Sequence, residues 1–152
     1  MRRLALLCTG EGRCWLSGKQ EDDGEDLLAR RGVYQSELAQ GFTKSLKALG
    51  RIAEATVPAQ LQLYMRDWCS GLTEVELNRK WTYKPLSGDK AKRWKVKQIY
   101  VARHYRVPLI EVDTSAPSRV WFLDVFRKDQ RNQQEDIDRA ISRAKQIREG
   151  IE

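Results

Sequence analysis

A chain of 152 residues is the size of one domain and long enough to bury a core of its own. Its 41% hydrophobic and 32% charged residues give a globular composition, with a net charge of +7. No stretch approaches the ~20 apolar residues of a membrane span. The apolar run after Met1-Arg2-Arg3, Leu4–Cys8, is too short for a secretory signal, which needs about 7–15. Cys8, Cys14 and Cys69 form no CxxC pair and have no histidine close in sequence, which supports neither a zinc site nor a disulfide framework. The expectation is a soluble, cytoplasmic protein with no metal and no cofactor.

Residues 1–32 lack periodicity and carry an acidic, glycine-broken run, Glu21–Asp26. They are expected to form a poorly ordered extension with one short strand at Leu4–Cys8, and residues 33–152 the folded domain. Val33–Leu38 reads as a strand. Phe42, Leu46 and Leu49 then share one helical face, with Gly50 as a stop. A second helix is predicted from Pro58, a favoured first-turn residue, burying Leu61, Tyr64 or Met65, Trp68 and Leu72. The pair suggests a helical hairpin packed on a flat partner.

Residues 78–93 read as a basic loop. Trp94, Val96 and Gln98 then alternate with Lys95, Lys97 and Ile99. After a turn near Val101–Arg103, Tyr105, Val107 and Leu109 alternate with His104, Arg106 and Pro108. Pro108 cannot donate to a ladder, so a bulge or an edge is expected there. Ser115–Ser118 reads as a turn and Val120–Phe126 as a central strand. Asn132 with Glu135 resembles a capping box. Ile137, Ala140, Ile141, Ala144 and Ile147 mark one face of a last helix closed by Gly150. The order predicts an α+β fold: a small antiparallel sheet, an N-terminal helical hairpin and a C-terminal helix.

The charge is concentrated. Residues 79–131 hold 14 basic and 5 acidic groups, while the segments before and after are each close to neutral. Such a centre favours a polyanion through counterion release. RNA can be cleaved without a metal when its 2′-hydroxyl attacks the neighbouring phosphorus. The protein then supplies a base, an acid for the leaving 5′-oxygen, and cations for the charge on the phosphate. Lys95 and Lys97, two apart on a strand, would point to one side. Beside Arg106, either lysine would have its pKa lowered by like charge and could serve as the base. Arg106 and Arg131 suit bidentate phosphate binding. His104, the one histidine, is the candidate acid. Arg93, Arg103 and Arg127 are further phosphate-binding candidates. Glu111, Asp113 and Asp124 are isolated and read as structural or exposed.

Taken together, SLKALG, KPLSG, WKVK, RHYRV, VWFLDVFRKDQRN and EDIDRAISRAK resemble the RelE/ParE superfamily of bacterial type II toxins, including its phage-derived HigB-like branch. The resemblance spans about residues 33–149. It implies a compact sheet flanked by helices, and a toxin that cuts mRNA on the ribosome without metal, inhibits translation and is neutralised by a cognate antitoxin. Lys95 and Lys97 match the family's phosphate-binding and proton-transferring lysines, and Arg106 its phosphate ligand. Arg127, Lys128 and Arg131 match the basic residues after the last strand. The chain departs from the pattern where many such nucleases place a Tyr or His near the C-terminus: it has Asn132, Gln133, Gln134 and Glu135 there. His104, Tyr100 or Tyr105 would have to take that part. Two other readings share the same residues: a ParE-like inhibitor of DNA gyrase, and a non-catalytic nucleic-acid-binding domain.

Overall fold

The computed structural model describes residues 2–3, 34–112, 118–129 and 133–151. The expected extension at 1–32, with its strand at Leu4–Cys8, lies outside them apart from Arg2 and Arg3. So do Cys8, Cys14, Asp113, Arg131, the capping residue Asn132 and most of the expected turn at Ser115–Ser118. Within the described residues the chain is a mixed α and β fold. Its seven strands are β1 (Arg2–Arg3), β2 (Tyr34–Leu38), β3 (Lys84–Pro85), β4 (Lys97–Val101), β5 (Tyr105–Val112), β6 (Ser118–Phe122) and β7 (Phe126–Arg127). Its five helices are α1 (Phe42–Leu49), α2 (Arg51–Cys69), α3 (Glu74–Trp81), α4 (Asp89–Arg93) and α5 (Gln133–Ile151).

The sheet order is β1-β2-β6-β5-β4-β3, with β7 added to β5 beyond the end of β6. It is not wholly antiparallel as expected: β2 and β6 run parallel. Parallel neighbours need a long crossover, and here four helices and three strands intervene. Both faces are covered. On one, Phe42, Leu46, Leu61, Tyr64 and Trp68 pack with Ile99, Val107, Leu109, Val120 and Phe122. On the other, Ala140, Ala144 and Ile147 of α5 and Ala91 of α4 pack with Ile110, Val112 and Trp121. The predicted apolar face of α5 is therefore its packed face, with Ile137 and Ile141 at the margin.

Three elements differ from expectation. Helix α2 begins seven residues before Pro58, which stands inside it. A proline there lacks one helix hydrogen bond and costs on the order of 3 kcal/mol. Ala53 and Val57, both fully buried, extend the stripe of Leu61, Tyr64 and Trp68 backward, and that burial keeps the helix running. The basic loop at 78–93 contains the end of α3, the edge strand β3 and the short α4. Helix α3 opens with a capping box in which Thr73 Oγ1 accepts from the Glu76 N–H at 3.2 Å and Glu76 Oε1 accepts from the Thr73 N–H at 3.1 Å. The expected strand 120–126 divides into β6 and β7 around Leu123–Val125. The Pro108 carbonyl accepts from the Leu123 N–H at 2.8 Å, so the edge where Pro108 lacks a donor faces this break.

Gly41, ahead of α1, has a φ of 94°. A β-carbon there would meet the Arg143 guanidinium as well as strain the backbone. Gly41→Ala is expected to cost about 1–3 kcal/mol, read from urea unfolding at constant slope. Among the described residues no helix is long and apolar enough to cross a membrane.

Candidate nucleic-acid interface

The β4–β5 hairpin turns through Ala102 (φ 51°) and Arg103 (φ 64°), two left-handed residues that are not glycine. Its register makes Tyr100 and Arg106 direct cross-strand partners, so their side chains share one face. The Arg106 guanidinium carbon lies 5.1 Å from the Tyr100 ring centre. Two lysines join it, the Lys128 Nζ at 5.3 Å and the Lys84 Nζ at 5.7 Å. Each arrives by a separate route. Lys84 comes from β3, opposite Gln98. Lys128 follows β7, which pairs Arg127 with Tyr105, and its own N–H donates to the His104 carbonyl at 2.7 Å. The Gln133 amide at the start of α5 donates to the Lys128 carbonyl.

Three cations around one aromatic ring gain cation–π attraction but repel one another. Among the described residues none of the three is in an ion pair, and the buried Nε of Arg106 has no hydrogen-bond partner. A cluster of like charge without a counterion is the arrangement that an anion satisfies.

The α5 helix is tied to the segment between β6 and β7, which leads to Lys128. Asp124, fully buried between β6 and β7, meets Arg139 Nε at 3.0 Å and Arg143 Nη1 at 3.2 Å. Arg143 Nη1 also donates to the Leu123 carbonyl at 2.8 Å. Arg139 bonds Asp136 as well. Burial raises the Asp136 carboxyl above its ordinary pKa although Arg139 opposes it. Burial also works against the charge on Arg139, but the attraction of Asp124 and Asp136 outweighs it and raises the pKa.

Of the residues singled out in the sequence, the structure brings Arg106 and Lys128 together. Lys97 does not stand beside Arg106 as expected: its partner is Leu109, which places it on the opposite face with Ile99 and Val101. There its Nζ meets Glu111 Oε1 at 2.9 Å and donates to Tyr83 Oη at 2.8 Å, while Tyr83 Oη donates to Glu111 Oε2 at 2.7 Å. Lys95 is not on a strand with Lys97 but in the turn after α4, with a φ of 54°. Both line a separate recess of about 440 Å³ with Lys92 and Arg148. His104 is exposed in the hairpin turn rather than on β5, next to the exposed Arg103. Arg127 is exposed on β7, and Arg93 lies over the Trp94 ring at the end of α4. Lys84 lies in a stretch expected to be a loop and is absent from the expected site; of the three residues weighed for the missing aromatic, Tyr100 is the one that stands beside Arg106 and Lys128.

Lys97→Ala would leave the Glu111 carboxylate, only 12% exposed, without its cation. A loss of about 1–3 kcal/mol in thermal unfolding is expected. Any change of activity in that variant must therefore be compared at equal folded fraction.

No family model matches the chain, and neither characterised proteins nor solved structures gave a significant match.

Proposed function

We propose that this protein is a RelE/ParE-like type II toxin: a metal-independent endoribonuclease that binds mRNA, in the setting of the ribosome, and inhibits translation in the cytoplasm. The observation that carries this reading is the convergence of Arg106, Lys128 and Lys84 on the Tyr100 ring, with none of the three in an ion pair among the described residues. A sheet enclosed by an N-terminal helix pair and a C-terminal helix supports it as well. Arg106 donates to the scissile phosphate, while Lys128 and Lys84 balance the charge that grows on it. Tyr100 stacks an unpaired base. The 2′-oxygen gives up its proton and bonds to phosphorus; the 5′-oxygen leaves with a proton, and a cyclic phosphate remains. Lys128 or Lys84, in its neutral form, takes the first proton and becomes a cation while the other stays charged, since Lys97 is committed to Glu111 across the sheet. The Tyr100 hydroxyl supplies the second. The partner is a cognate antitoxin, acidic enough to cover this face or the C-terminal helix.

A second reading, a binding-only domain or a gyrase inhibitor, is favoured by the placement of Lys97 and His104 away from Arg106. Induced expression of the wild type beside Arg106→Ala, with mapping of mRNA 5′ ends, separates the readings. Growth arrest with new ends inside translated messages, lost in the variant, is expected. Arrest without cuts moves the assignment to gyrase. A folded protein that causes no arrest leaves binding alone.

A further inference from the structure

Beside the cationic cluster lies a cleft of about 540 Å³. Gln60 and Leu63 of α2, Trp81 and Thr82 at the end of α3, and Tyr100 and Arg103 of the hairpin form its walls, and Lys128 reaches its rim. The cleft follows from the shortness of β3. That strand pairs only with Gln98 and Lys97, so no described strand covers the outer edge of β4 from Ile99 to Val101. Thr82, left-handed at φ 53°, ends α3 and leads the chain into β3 beyond this stretch of β4. The back wall is fixed: Trp81 Nε1 donates to Asp67 Oδ2 at 2.8 Å, and its ring meets Tyr64 edge-on at 5.6 Å between centres.

We infer that this cleft receives one unpaired base of the RNA strand whose phosphate Arg106 and Lys128 hold, and that Gln60 reads the edge of that base. The inference rests on the RNA-binding reading above. A nucleotide joins a charged phosphate to a flat ring that is largely apolar and has a polar rim. The three cations suit the phosphate. The ring needs an aromatic and aliphatic wall with a few polar groups, as pockets for planar ligands have. Trp81, Leu63 and Tyr100 supply the wall, and Gln60 and Thr82 the polar groups. Tyr100 and Lys128 line both sites, so the two halves of one nucleotide can occupy them together. A carboxamide carries donor and acceptor side by side, and bases differ in the order of these groups along their edges, so Gln60 discriminates between them. Leu63 is 38% exposed, an apolar surface that a base would cover.

The test uses uncleavable 2′-O-methyl RNA strands of about six nucleotides made of A, C or U alone. They are titrated into the full chain, wild type and Gln60→Leu, over a range of salt. The wild type is expected to separate the three strands by about tenfold or more, the size of a good base-edge contact. Gln60→Leu narrows that spread to about twofold with the salt slope unchanged, since the phosphate contacts remain. Gln60 is half-buried on the surface of α2, so the substitution leaves the core intact. Equal wild-type affinities, or a spread that survives in Gln60→Leu, overturn the base pocket while RNA binding stands. A salt slope that falls with the spread overturns it too, because Gln60 would then be acting on phosphate. No binding of any strand by the wild type removes the RNA reading and this inference with it.

Discussion

Asp124→Ala is expected to destabilise the protein by about 3–5 kcal/mol, the range for breaking a buried charged pair by removing one partner. At this chain length that corresponds to a fall in Tm of roughly 10 °C. Asp124 is fully buried, and two arginines of α5 converge on it from one side. Deleting it leaves Arg143, whose side chain is 16% exposed, facing a cavity without a counterion. Arg139 keeps Asp136, so part of its charge stays balanced. The loss therefore falls mainly on Arg143 and on the segment between β6 and β7 that its Nη1 also holds through the Leu123 carbonyl. Lys128 follows β7 directly, so the tyrosine site should loosen before the whole molecule unfolds. Thermal unfolding and RNA affinity measured on the same variant check both parts. A Tm within a few degrees of wild type would mean that α5 is held by its apolar face alone.

What the sequence disclosed and what it concealed have separate physical causes. The apolar stripe of α5 and the alternation along β5 were readable because burial imposes a period on residue type, and Ala140, Ala144, Val107 and Leu109 obey it. Helix α3 was hidden because only Leu77 and Trp81 of its eight residues are buried, although the Thr73–Glu76 capping box announces its start. Pro58 misled for the opposite reason: a strong local signal gave way to the burial of Ala53 and Val57 on its N-terminal side. The parallel pairing of β2 with β6 leaves no local trace, since it joins segments about 80 residues apart.

The site divides in the same way. Arg106 and Lys128 were legible as residue types in a basic segment. Their meeting at Tyr100 depends on the register that sets Tyr100 opposite Arg106 and Lys97 opposite Leu109. A strand has two faces, and composition does not say which of two neighbouring cations shares a face with a third. Lys84 was the harder loss: it belongs to a two-residue strand that exists only because β4 offers it an edge.

Tyr100→Ala is expected to weaken RNA binding by about 10- to 100-fold, the cost of losing one base–aromatic stack. Tyr100→Phe should bind within about twofold of wild type, because the ring and its quadrupole remain. The contrast separates two roles that one residue can hold. If the hydroxyl also delivers the proton to the leaving 5′-oxygen, Tyr100→Phe should cut mRNA about 100-fold more slowly while binding it normally, the usual scale for losing a positioned acid. Tyr100→Ala removes the ring around which Arg106, Lys128 and Lys84 gather as well, so its loss of cleavage should exceed its loss of affinity. Equilibrium binding to uncleavable RNA and single-turnover cleavage, each measured on both variants, give the four values needed. Normal affinity in Tyr100→Ala would show that the cations hold RNA without the ring, and the platform would have to be sought elsewhere on the sheet.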